Sequence, residues 1–292
     1  MRSDEYLLLM NLCEGMPGEY APYTLSERIR LRDVGIQTAI EYPEWSKTEP
    51  VRGEYNFSLI EGILELNRGA GIKTIFAVPE HWIPKWIPNE WRLKYHNGNY
   101  ITSSISLWNK EAVQYRDDYL TMLIDRYHAP DVLFVFTEND TGESVMVSYG
   151  WYDDCAVKDF QSKYDVAMDF DNIQTKEWLA NSAISYITET QKIFYPQYKE
   201  LWNMNQWLIN KINPASMNSI HPEILKSFRD TFDPLSLVLL QYTYFDAAHP
   251  QENVVYVDKL VSDYGCEVIA EAMFCKGLPQ TAPRAIAKGF RG

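Results

Sequence analysis

Short apolar runs alternate with amphipathic stretches along most of this chain. Seven runs read as buried strands by length and continuity: Tyr6–Leu12, Ile36–Ile40, Lys73–Val78, Asp131–Phe136, Lys199–Met204, Leu235–Tyr242 and Glu267–Ala270. Helices are predicted between them. Thr24-Leu25-Ser26-Glu27 and Ser58-Leu59-Ile60-Glu61 both have capping-box spacing, opening helices that should stop at Gly35 and near Gly69 and Gly71. Further helices are expected over Glu111–Tyr127, Asp159–Tyr164, Thr175–Phe194, Pro222–Phe232 and Val254–Tyr264, with another beginning at Pro283–Lys288.

Strand-then-helix units in this order predict a parallel sheet, and seven of them fit a (β/α)8 barrel better than a doubly wound sheet. No glycine-rich dinucleotide or phosphate loop interrupts the pattern. The chain stops at Gly292, where an eighth strand is expected, so the barrel either closes irregularly or belongs to a longer protein. With no linker or repeat in view, residues 1–292 read as a single domain with insertions near 88–107 and 145–175.

Composition narrows the function classes. A net charge of −13 disfavours nucleic-acid and anionic-membrane partners, which require concentrated Lys and Arg. No run approaches the ~20 apolar residues of a membrane span, and the N-terminus is too acidic and its apolar stretch too short for a signal peptide, so the expected location is cytoplasmic. Cys13, Cys155, Cys266 and Cys275 lack zinc-type spacing, and the histidines form no H-E-x-x-H or H-x-H pair. Neither a metal nor a cofactor is expected. The sequence leaves the oligomeric state open.

A barrel gathers the C-terminal ends of its strands around one mouth, so acids at those ends are the candidates for chemistry. Glu143 follows the fourth predicted strand and Glu271 ends the seventh; Glu138 is the competing acid. Two carboxyl groups facing each other across a sugar-sized space can cleave a glycosidic bond, one protonating the leaving oxygen and the other attacking or activating water. Aromatic rings and amides at strand ends offer surfaces for sugar faces and hydroxyls. The candidates for binding are Glu41, Trp45, His81, Trp82, Asn139, Trp202, Asn203, Asn205, Tyr242 and Tyr244.

The motif Trp45-x-x-x-Glu49-Pro50-x-x-Gly53-x-Tyr55-x-Phe57 resembles a stretch after the second strand of barrel glycoside hydrolases, most of all the catalytic domain of the family 42 β-galactosidases. AGIKTIFAVPEHWIPKWI, NKEAVQYRDDYLTMLIDRY and WYDDCAVKDFQSKY resemble later segments in the same order, so that the likeness covers roughly residues 36–165. The resemblance implies a (β/α)8 hydrolase acting on a carbohydrate, with the acid/base glutamate after the fourth strand and the nucleophilic glutamate after the seventh. Spacing to Trp151 and Phe160 favours Glu143 over Glu138 for the former, and Glu271 matches the latter. The family pattern is not fully kept. Gly142 stands where an Asn precedes the acid/base, and Thr38 or Ala39 stands near the family's second-strand arginine. The Gly142-Glu143 form is also similar to β-amylase, an inverting barrel glucosidase. Two alternatives remain: a non-catalytic carbohydrate-binding barrel, and a barrel lyase or isomerase of other chemistry.

Overall fold

The computed structural model describes residues 9–11, 23–79, 82–137, 151–169, 172–201, 207–211, 237–242 and 267–270. Four strands form one parallel sheet in the order β1 (Leu9–Asn11), β2 (Thr38–Glu41), β3 (Lys73–Pro79) and β6 (Val132–Thr137). A second parallel sheet orders β7 (Trp207–Lys211), β8 (Leu237–Tyr242) and β9 (Glu267–Ala270), and β7 lies beside β6. Helices connect successive strands on the first sheet, as its parallel pairing requires. They are α1 (Leu25–Asp33), the short α2 (Trp45–Thr48), α3 (Ser58–Ala70) and α4 (Lys110–Tyr127).

Local signals set the helix ends. The Thr24 amide and hydroxyl both donate to Glu27 Oε2 at 2.7 Å, as capping-box spacing predicts. The second expected box does not form: Ser58 is the first residue of α3, Phe57 occupies the cap position, and no side chain caps it. At the other end Gly71 adopts the left-handed conformation at φ 73°, and its amide reaches the Arg68 carbonyl at 3.0 Å. Gly69 allows close approach of α1, because a Cβ there would sit 3.1 Å from Leu25 Cδ1. Asn109 caps α4, its side chain accepting from the Glu111 and Ala112 amides at 3.1 Å each.

The first layer packs Ala39 on Ala70 and Ile72, with Tyr23, Ile29 and Leu31 around them. Register places Thr74 beside Ala39 and Phe76 beside Glu41, so these four side chains share the helix-facing side of the sheet. Ile60, Ile63 and Leu64 of α3 are buried, each contributing roughly 1.5–3 kcal/mol.

The polar stretch 88–107, expected only as an insertion, holds an antiparallel hairpin, β4 (Arg92–Lys94) and β5 (Tyr100–Ile105). Its tip turns at Asn97 and Gly98 (φ 86°), with the Asn97 side chain accepting from the Asn99 amide at 3.0 Å. After β6 come α5 (Asp154–Lys163) and α6 (Ile173–Leu201), both longer than periodicity predicts. Helix α6 docks on α4 through Arg116, which donates to the Tyr186 hydroxyl and to Thr190 Oγ1 at 3.0 Å. The expected fifth strand at Lys199–Met204 is incorrect. Residues Lys199–Leu201 finish α6, and the strand is Trp207–Lys211. The helices expected over Pro222–Phe232, Val254–Tyr264 and from Pro283 lie outside the described residues. Among the described residues, no helix is long and apolar enough to cross a membrane, and no cluster of His, Cys, Asp and Glu could hold a metal.

Candidate active site

In a parallel β/α fold the chemistry gathers past the C-terminal ends of the strands, here Asn11, Glu41, Pro79, Thr137, Lys211, Tyr242 and Ala270. Glu271 is the next residue after β9, and Glu143 comes six positions after the end of β6. Both lie outside the described residues, as do Glu138, Asn139, His81, Trp202, Asn203, Asn205 and Tyr244. Tyr242 is the last residue of β8 and pairs with Ala270, across from the residue that precedes Glu271. The relocated fifth strand removes the basis for three binding candidates. Trp202, Asn203 and Asn205 precede β7 in sequence instead of following a strand end.

Glu41 does not serve the mouth as expected. Its carboxylate lies on the helix-facing side of β2, where Arg28 Nη1 of α1 binds it in an ion pair with both side chains 0% exposed. Asn67 of α3 donates to the same oxygen at 3.3 Å and to Thr74 Oγ1 at 2.9 Å. Arg28 Nε also reaches the Tyr23 carbonyl at 3.0 Å. This network fastens α1 and α3 to the sheet. It is a packing device sealed from any substrate.

Trp45 likewise leaves the list of sugar platforms. It is 6% exposed and stacks on Tyr119 at 5.0 Å and on Tyr115 at 6.2 Å, with Trp86 edge-on at 6.3 Å. The hub of this cluster is Glu49, a residue the sequence marks only through the motif it shares with Trp45. Its buried carboxylate accepts from Trp45 Nε1 at 2.7 Å, the Gly53 amide at 2.7 Å and the Tyr115 hydroxyl at 2.5 Å. Trp86 Nε1 closes the ring by donating to the Glu49 carbonyl at 2.9 Å. Burial, and then the Glu49 hydrogen bond and charge, push the Tyr115 phenol well above its usual range. The exposed Arg52 guanidinium lies 5.1 Å from the ring centres of both Trp91 and Tyr115. The Trp45–Phe57 motif therefore builds the wall after β2 and welds it to α4.

Tyr42 follows β2 directly, and the Trp82 ring meets it edge-on at 6.1 Å and 74°. The Trp82 carbonyl accepts from the Ser46 amide at 2.9 Å, joining the connections after β2 and β3. Beside them Glu44 is buried and paired with Lys47 at 2.7 Å.

The connection after β6 is held at its far end. Trp151 pairs with Lys94 of the hairpin, and the Tyr152 amide donates to the Lys94 carbonyl at 2.9 Å. Asp153 Oδ1 accepts from Ser106 Oγ at 2.8 Å and from the Ala156 amide at 3.1 Å. Its Oδ2 is buried without a hydrogen-bond partner, and burial raises its carboxyl above the usual carboxylate range. Trp151, Phe160 and Trp178 form the core behind it, with Trp108 stacked on Trp178 at 4.6 Å. The stretch that carries Glu138 and Glu143 thus begins on a strand and ends on a fixed, buried clasp.

The architecture is shared with solved structures at low identity, which speaks for the fold alone. The catalytic domain of β-amylase from Paenibacillus polymyxa matches with a TM-score of 0.72 at 10% identity, covering 99% of this chain and 91% of that one. β-Galactosidase from the psychrophilic Marinomonas ef1 matches at 0.62 and 13% identity over 91% of this chain; the chain spans 47% of that structure's length. A β-glucosidase, 1317, matches at 0.53 and 11% identity, over 90% of this chain and 72% of that one. These neighbours are TIM-barrel glycoside hydrolases. No curated protein matches the chain in sequence. The family model described as β-galactosidase does match, over residues 19–181, the same stretch that forms the first sheet's helices, the Glu49 wall and the Asp153 clasp. That match takes in more than half of the 292 residues, and the chain belongs to glycoside hydrolase family 42 and is a glycoside hydrolase.

Proposed function

We propose that the chain forms a (β/α)8 barrel that cleaves a β-linked galactoside, glucoside or related glycan with retention, using Glu143 as acid/base and Glu271 as nucleophile. The observation that carries this reading is the end of β9 at Ala270, which makes Glu271 the first residue past a parallel strand in a family 42 hydrolase. An acid in that position is costly to bury unless it is paired or used. In the retaining mechanism the acid protonates the glycosidic oxygen while the nucleophile attacks the anomeric carbon. Water, deprotonated by the same acid/base, then releases the sugar, which requires carboxyl groups about 5–5.5 Å apart. Trp82, Tyr242, Tyr244, His81 and Asn139 are the binding candidates that keep a position in the sequence at or after a strand end.

Inversion is the second reading, supported by the higher TM-score and fuller coverage of the β-amylase catalytic domain together with the Gly142-Glu143 form. One experiment separates these readings. Glu143→Gln, Glu271→Gln and Glu138→Gln are assayed on p-nitrophenyl β-galactoside and β-glucoside, and the first-formed anomer is followed by proton NMR. Glu271→Gln should abolish turnover, Glu143→Gln should lose about 10²–10⁴-fold, and Glu138→Gln should stay active. Full activity in Glu271→Gln refutes the assignment, and an inverted first product replaces retention with inversion.

A further inference from the structure

Among the described residues, Trp82 is the one non-glycine with a left-handed backbone, at φ 69°. The other positive-φ positions there are Gly35, Gly53, Gly71 and Gly98, where the absence of a Cβ removes the steric cost. A bulky aromatic in this region is a true outlier, and such strain persists where the surroundings enforce it. The enforcing contact is visible: the Trp82 carbonyl is tied to the Ser46 amide, pinning the backbone across two connections at the strand ends. A glycine would satisfy that bond at lower cost. The chain keeps the ring.

The ring is not used as core filling is used elsewhere. Trp45, Trp91, Trp151 and Trp178 are buried, with at most 6% exposed, and the half-buried Trp86 and Trp108 pack into the Glu49 wall and onto Trp178; Trp82, also half-buried, instead stands three residues past the C-terminal end of β3. Tyr42 supports it edge-on from the end of β2. We propose that Trp82 is a pyranose-stacking platform at the barrel mouth, and that its strained backbone is retained because it presents this ring to the apolar C–H face of the sugar. This rests on the proposed siting of the substrate at the strand ends, and it gives the binding candidate Trp82 a defined contact there, one ring face against a pyranose.

Strain and binding make opposite demands, which gives the test. Uncleaved p-nitrophenyl β-thiogalactoside and β-thioglucoside are titrated by calorimetry into the wild-type protein and into Trp82→Phe, Trp82→Leu, Trp82→Ala and Trp82→Gly. Loss of the ring should weaken binding about tenfold, with Trp82→Phe recovering most of the loss. Trp82→Gly should melt about 2–4 °C above Trp82→Ala, because relief at positive φ exceeds the entropy that glycine adds to the unfolded chain. Wild-type affinity in the variants without a ring overturns the platform, and a Trp82→Gly no more stable than Trp82→Ala overturns the strain. Should those two fail to fold, Trp82→Leu reads the same loss of stacking with apolar bulk kept, and undiminished binding there overturns the platform. If wild-type protein binds neither thioglycoside yet hydrolyses β-glycosides, the platform fails while the hydrolase reading stands. If it neither binds nor cleaves them, the proposed substrate class fails with it.

Discussion

Replacing Glu41 by Gln tests whether the carboxylate at the end of β2 holds the fold or the substrate. Arg28 and Glu41 are each 0% exposed, and Arg28 Nη2 is buried without a partner. Glu41→Gln removes the counter-charge and leaves the guanidinium enclosed by amides and carbonyls. Breaking a buried pair from one side costs about 3–5 kcal/mol, because the remaining charge is uncompensated. At roughly 2–4 °C per kcal/mol for a chain of this size, the melting temperature should fall by roughly 6–20 °C. The double variant Arg28→Met/Glu41→Met removes both charges and keeps apolar volume, so it should recover most of that loss. Urea unfolding of the wild type, Arg28→Met, Glu41→Met and the double variant gives the coupling energy directly. At a temperature where Glu41→Gln is folded, its kcat on an aryl β-glycoside should match wild type. Destabilisation below about 1 kcal/mol, or a double variant as unstable as the sum of the singles, would refute the anchoring role.

Two further outcomes follow from other buried carboxylates. Glu49→Gln keeps one acceptor but points an amide N–H₂ at the Trp45 indole or at the Gly53 and Tyr115 donors, and should cost about 2–4 kcal/mol in thermal unfolding. In that variant Tyr115 should also ionise at lower pH, since one cause of its elevation is gone. Asp153 is raised above its ordinary value of 3.8 chiefly by burial, so its contribution to stability is full below that value and is lost as pH rises through the elevated one. Asp153→Asn removes this ionisation, and its stability relative to wild type should therefore improve with rising pH across that window. Urea midpoints measured at a series of pH values check the sign, and a relative stability that declines over the window contradicts it.

Much of the strand frame was legible because apolar runs bounded by polar caps leave few readings. Glu267–Ala270 coincides with β9, and Leu235–Tyr242 contains β8. The helix expected to end at Phe194 continues through Pro196 to Leu201, although proline disfavours a helix interior. That shifted the strand and with it three binding candidates. Capping-box spacing worked at Thr24 and failed at Ser58, where the helix begins one residue earlier than the motif assumes. The β4–β5 hairpin escaped because its edge strands are short and mixed in polarity. Strand-end position identified Glu41 and Trp45 as candidates, but it cannot say to which side a residue points. Alternation along β2 sends Glu41 to the helices with Ala39. Nothing in one-dimensional spacing announces the left-handed backbone of Trp82.

The hairpin's attachment to Trp151 and Tyr152 has a practical corollary for engineering. Lys94 is both the end of β4 and the pairing partner of the segment leading into α5, so two connections separated by a whole strand and helix behave as one plate. A loop graft from a homologue that exchanges residues 88–107 alone would leave the Ser106–Asp153 clasp and the Lys94 seam mismatched. The transplantable unit is the hairpin together with 151–156. The tip at Asn97 and Gly98, exposed and away from that seam, is by the same logic the place to insert a tag or a fluorophore.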